Sequence, residues 1–410
     1  MPGLPKILLA SFLIFLCLAS ADGQRIRVLL SGQIGEDINP LQGWFKSEPL
    51  VDHLSVPSRD LRGTEGGDSA MKRFIRLYFP RTYESVSEFD FILLNSPVLY
   101  FFNNKYIQWM HDAIAGGSGG LNTASVMSGN ADIHTHWASS VLQEAFPNDA
   151  PAVVAKYQGG NSPLGGFRIV VNRDFPEPVL IPFLELGVER YLGYDSRIII
   201  PREGSGTMAW QVGNNPGLTD VPFLLGWEYG NGRTITTGDA FGHTFWSSYR
   251  GGRDTDNVYA LDMLMNLIFW ATNREVQTNI LLYHAMRTDF LQFRERMGLL
   301  VSLTDFAEKF GANSRQIQTM INEMEDTVRD AQMAYLEQDF TEVEAKMEEA
   351  FEGFEEAELR AIELKDQALL WVYLIEWFTV LGVSIITGVV IHTLMIRRKL
   401  YRTVKVTRAL

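Results

Sequence analysis

The chain has 410 residues, a formal net charge of −13 and a single cysteine, Cys17. That length is enough for a sizeable core, the acidic balance excludes nucleic acid as a partner, and one cysteine excludes a disulfide framework. A metal site built on thiolates is excluded with it.

In chain order, the first residues predict an export signal covering 1–21. Lys6 supplies a positive start, "ILLASFLIFLCLA" is a short apolar run, and Ala19-Ser20-Ala21 gives the small-x-small pattern of a cleavage site. The run is too short for an ordinary membrane span. Leu16 is bulky where a lipid-modification motif before Cys17 wants a small residue. Cleavage after Ala21 leaves a mature chain without a thiol, hence without a cysteine nucleophile.

Residues 22–275 predict an extracellular α/β domain. "RIRVLL" and "FDFILLNSP" are aliphatic runs ending in turn residues, as buried parallel strands do. "NNKYIQWMHDAIAGG" follows as a helix, capped by Asn103 or Asn104 and stopped by Gly116, and "LNTASVM" is the next strand. This order implies right-handed crossovers and a doubly wound, mostly parallel, flavodoxin-like sheet. "TMAWQV", "FLLGWEY" and "RTITTG" then read as consecutive strands, the last two joined by Gly230-Asn231-Gly232, a hairpin signal. "VYALDMLMNLIFWA" closes the domain as an apolar helix.

Residues 276–366 predict an acidic helical stalk. Ser302 with Asp305 reads as a capping pair and Gly311 as a helix stop. Ile317, Ile321, Met324, Val328, Ala331 and Tyr335 form one helical stripe, and Phe340, Val343, Met347, Ala350, Phe354, Ala357 and Ala361 a second. Thr341 and Glu344 match a capping box at the change of phase. Two helices in an antiparallel hairpin, acting as a stiff spacer, are expected; one long coiled coil with a stutter is the alternative. Residues 320–366 hold 16 acids against 4 bases, a solvated face or a dock for a basic partner.

Residues 369–396 predict one transmembrane helix with its core at 377–396, "WFTVLGVSIITGVVIHTLMI", about 20 residues without a charged side chain. The tail at 397–410 is basic and without acids, which places it inside the cell and the bulk of the chain outside. The expected partners are the lipid bilayer and another membrane or cell-surface protein.

The motifs "FDFILLNSP", "AGGSGGLNTASVM", "SRIIIPREGSGTMAWQV" and "PFLLGWEYGNGRTITTGDAFGHTFW" resemble the class I glutamine amidotransferase-like fold, in its putative glutamine amidotransferase and trehalose-utilisation-like branch. The resemblance is carried most by Gly230-Asn231-Gly232-Arg233, Thr237-Gly238-Asp239 and His243-Thr244-Phe245-Trp246. It implies a catalytic cysteine on the strand after the glycine-rich turn, activated by a histidine. Here that strand offers Ser125 and Ser128, and neither sits in a Gly-x-Ser-x-Gly frame. The resemblance thus implies a catalytic fold that has lost its nucleophile, with Ser125, Ser128 and His243 as the candidate catalytic remnants. Asp239, His243 and Trp246 are the candidate ligand contacts.

Asp132-Ile133-His134-Thr135-His136 is a candidate divalent-metal cluster. In an extended segment, residues two apart share a face, so Asp132, His134 and His136 can converge, with His243 or Asp239 as a further ligand. Hydrogen-bonded polar residues beside Trp137 are the alternative. "PREGSG", Pro201 to Gly206, is a candidate anion-binding nest. No cofactor other than such a metal is expected. His53, His111 and His284 form no constellation in the sequence.

Two functions follow. One is a non-catalytic binding or scaffold subunit at the cell surface, in layout resembling the membrane-tethered accessory subunit of oligosaccharyltransferase complexes. The other is a metal-assisted carbohydrate-related enzyme using His134, His136 and His243, with "WEYG" and "FGHTFWSSY" stacking on sugar rings.

Overall fold

The computed structural model of the chain describes residues 25–34, 41–59, 67–123, 136–149, 167–188, 190–193, 199–212, 221–238 and 257–407. The chain divides into two compact units, residues 1–290 with 335–338, and residues 291–334 with 339–410. The predicted export signal, 1–21, lies outside the described residues.

The first unit is built on a nine-stranded sheet. β1 (Ile26–Gly32) pairs in parallel with β2 (Val51–Pro57) and with β3 (Phe91–Asn95). β4 (Gly119–Thr123) runs parallel to β3 and to β11 (Gly232–Thr237). From β11 onward the sheet is antiparallel, through β10 (Val221–Tyr229), β9 (Gly206–Val212), β6 (Phe167–Val171) and β7 (Arg190–Gly193). β5 (Asn148–Asp149) and β8 (Ile200–Pro201) form a separate ribbon. The expected α/β sheet is present, and it is mixed: the order β2-β1-β3-β4-β11-β10-β9-β6-β7 adds an antiparallel half to a flavodoxin-like parallel one. The reason is local. The two-residue turn Gly230-Asn231, with Gly230 at φ 59°, forces β11 back alongside β10.

Both faces of the parallel half are covered. Val28, Leu30, Leu93, Leu121 and Ile235 face one core, Leu29, Ile92 and Leu94 the other, and all are fully buried. This is why β3 reads as an unbroken apolar run, each aliphatic side chain contributing about 1.5–3 kcal/mol on burial. The first core also takes α5 (Ala260–Ala271), in which Leu264, Met265 and Ile268 are buried. The second takes α2 (Gly67–Tyr78), through Met71 and Ile75, and α4 (Asn104–Gly116), through Ile107, Met110, Ala113 and Ile114. Asn103 caps α4 by accepting from the Lys105 N–H at 3.0 Å, and Gly117 at φ 133°, one residue beyond the predicted Gly116, ends it. Shorter helices α1 (Leu41–Ser47) and α3 (Tyr83–Ser87) complete the layers.

α6 (Ile280–Lys309) begins in the first unit, where Arg287 is buried. Its guanidinium donates to the carboxylates of Glu48 and Asp262 and, at 3.0 Å, to Gln277 Oε1. Burial alone would lower its pKa, but Glu48, then Tyr335 and Asp262, hold it above the ordinary value. His284 Nδ1 lies 2.8 Å from the second Asp262 oxygen, so His284 has a constellation that its sequence context did not show.

The second unit contains the remainder of α6, α7 (Arg315–Leu336) and α8 (Phe340–Thr407). Both predicted stripes are buried there from Ile317 to Ala331 and from Val343 to Ala361, joined by Phe293, Met297 and Leu300 of α6. A turn with Gln338 at φ 62° separates α7 from α8, so the two are distinct helices rather than one long coiled coil. Two capping expectations are corrected. Ser302 lies inside α6, its hydroxyl returned to the Gly298 carbonyl at 2.9 Å. α8 is capped by Asp339, whose carboxylate accepts from the Glu342 N–H at 3.2 Å, and Thr341 lies within the helix. Gly311, at φ 83°, follows the end of α6 as predicted.

α8 is long and apolar enough to cross a membrane: its most apolar stretch has a mean hydropathy of 2.1, and none of that stretch is buried.

Candidate functional site

In the parallel half, β2 lies on one side of β1 and β3 on the other, so the chain changes direction between β1 and β3. Open α/β sheets bind ligands outside the carboxyl ends of the strands at such a switch point. Polar side chains stitch the strand exits together here. Ser31 Oγ donates to the Val56 carbonyl at 2.8 Å, with Ser58 Oγ at 3.1 Å. The Gln33 N–H donates to the Asn95 carbonyl at 2.7 Å, and Asn95 Nδ2 returns a bond to the Gln33 carbonyl at 2.8 Å. Gly32 sits between them at φ 117°, and a Cβ there would fall 1.9 Å from the Asn95 carbonyl oxygen. Ser96 takes the left-handed conformation, φ 53°, and its N–H donates to Thr123 Oγ1 at 2.8 Å. A non-glycine residue held there is a costly geometry that concentrates at functional sites.

An open cavity of about 600 Å³, which none of these exit residues lines, lies at the first turns of α4. Asn104 and Gln108, from the first turns of α4, and Tyr100, from the short helix Leu99–Phe101, line it opposite His136, Ser139 and Ser140. The His136 and Tyr100 rings stand 5.3 Å apart, and Lys72 Nζ lies 3.7 Å from the Tyr100 ring centre. The cavity floor is apolar, with Leu99, Phe102 and Ile107. An aromatic ring set among amides, hydroxyls, an imidazole and the Lys72 ammonium can hold a polar ligand through hydrogen bonds along the rim.

Of the residues singled out in the sequence, the structure places His136 in this cavity. Ser125, Ser128, Asp132, His134, Asp239, His243 and Trp246 lie outside the described residues. Among the described residues no group of three or more His, Cys, Asp or Glu side chains converges on a metal position. Pro201 to Gly206 is a tight turn: the Ser205 N–H and hydroxyl both donate to the Arg202 carbonyl, at 3.1 and 2.7 Å, and are spent internally rather than offered to an anion. His111 Nε2 lies 2.7 Å from the Tyr229 hydroxyl, whose pKa is raised by burial and by Glu144. The sequence reasoning missed Tyr100, Asn104, Gln108 and Lys72; the one available signal was the Asn103 cap, which fixes where the first turn of α4 must lie.

No family model matches the sequence, and no curated protein matches it. Solved structures with a similar chain course include the cytoplasmic protein STM1381 from Salmonella typhimurium LT2, at 16% identity and a TM-score of 0.40, covering 60% of this chain and 98% of that one. A putative ThuA-like protein from Parabacteroides merdae is similar at 13% identity and a TM-score of 0.34, covering 62% of this chain and 92% of its own. These likenesses are distant and carry no activity across to this chain.

Proposed function

We propose that the protein is a single-pass membrane protein, with its first unit outside the cell and its C-terminus inside. In this reading the amidotransferase-like unit is a non-catalytic binding or scaffold subunit of a membrane complex. The observation that supports it is α8, one unbroken helix from Phe340 to Thr407 and about 100 Å long at ~1.5 Å per residue. Its first turns pack in an acidic bundle, and the same helix then carries exposed Trp371, Trp377, Phe378, Ile385 and Ile391. Such a surface is satisfied by hydrocarbon and not by water, with tryptophan at the boundary and Arg397 and Arg398 beyond it. Affinity capture of the intact chain from gently solubilised membranes, followed by mass spectrometry, tests the reading. A second membrane protein at fixed stoichiometry is expected; a chain recovered without one contradicts it.

The cavity at His136 favours a second reading, a carbohydrate-related activity assisted by a divalent metal, with His134 and His243 joining His136. Tyr100 beside His136 supports the sugar-binding half of it. Ligand-observed NMR against a panel of neutral sugars, with metal analysis of the purified chain, tests both halves. Saturation transfer that disappears in Tyr100→Ala, with bound metal lost in His136→Ala, is the expected result. Absence of both ends this reading.

A further inference from the structure

α2 is apolar on two sides. Met71 and Ile75 point into the core, while Phe74, Leu77 and Tyr78 are exposed, Leu77 at 54% and Tyr78 at 53%. The Phe74 and Tyr78 rings lie 4.3 Å apart, a preformed platform one helical turn long. Arg73 and Arg76 on the same helix, and Arg81 just beyond it, are exposed, and none forms an ion pair or hydrogen bond among the described residues. Exposed tyrosine, phenylalanine and unpaired arginine are the residues that dominate protein–protein binding energies. In a chain of net charge −13, this is a basic island.

The same chain carries a complementary face. On α8, Glu352, Glu355, Glu356, Leu359 and Ile362 fall on one side, opposite the buried Phe354, Ala357 and Ala361. Leu359 is 66% exposed, and the three glutamates meet no cation among the described residues. One face thus offers arginines around aromatic and leucine side chains, the other glutamates around leucine and isoleucine. Each supplies what the other lacks, in charge and in apolar contact.

We propose that the α2 face of one molecule docks on the Glu352–Ile362 face of α8 in a second copy, so that a pair of molecules makes the contact twice. In one closed pair, Arg73 and Arg76 of each molecule meet the glutamates of the other.

The test is sedimentation equilibrium of the full-length protein in density-matched detergent. The wild type is expected to dimerise, with the dissociation constant raised at least about tenfold by R73E/R76E and by E355R/E356R separately. Combining the two sets is expected to restore the dimer, because the swapped charges meet again. All four positions are on the surface, and unchanged circular-dichroism melts of the variants would separate a lost contact from a lost fold. A monomeric wild type, a dimer indifferent to either swap, or a combined variant that stays monomeric would each overturn the proposal. Capture of a different acidic protein by a monomeric wild type would overturn it as well.

Discussion

At Gly32 the backbone conformation and the neighbouring carbonyl both forbid a side chain, since φ is 117° and a Cβ would lie 1.9 Å from the Asn95 oxygen. Gly32→Ala is therefore expected to cost about 2–4 kcal/mol in chemical denaturation, from strain and from splaying β1 and β3 at the switch point. An unchanged denaturation midpoint would refute this account of the strand exits. Arg287 presents a different physics. Its guanidinium holds two buried carboxylates, and removing it in Arg287→Met leaves Glu48 without its cation and Asp262 with His284 alone. Breaking a buried pair by one partner costs about 3–5 kcal/mol, and the Glu48→Leu, Asp262→Leu, Arg287→Met triple is expected to recover most of it. Nothing near Arg287 in the sequence identified the network, because Glu48 lies 239 residues away.

At the scale of the element, legibility follows how local the cause is. The Gly230-Asn231-Gly232 hairpin was readable because a two-residue turn is specified by its own residues, and the bundle stripes because burial repeats every three or four positions. Ser302 misled because a serine returning its hydroxyl to the carbonyl four residues back looks the same in sequence as a cap. The cavity at His136 was readable only as a histidine. Tyr100, Gln108 and Ser139 come from three segments, and only the fold brings them together. The cap assignment makes a prediction: Asp339→Ala should lose about 1 kcal/mol of local stability, seen as faster hydrogen exchange in the first turn of α8. Thr341→Ala should leave that exchange unchanged. Equal effects from the two would return the cap to Thr341.

At the scale of the whole molecule, a mixed α/β unit and an acidic helical unit share one chain, and the second continues as an apolar helix. The chain's single cysteine, Cys17, falls within the predicted signal segment, so introduced cysteines in the mature protein would be unique labels. The measurement that tests the central claim most directly is labelling of intact cells with a membrane-impermeant maleimide, using Ser302→Cys and Thr403→Cys in separate molecules. The account predicts that Ser302→Cys is labelled at once and Thr403→Cys only after the membrane is opened. Labelling of both in intact cells, or of Thr403→Cys alone, would contradict a chain anchored through α8 with its bulk outside.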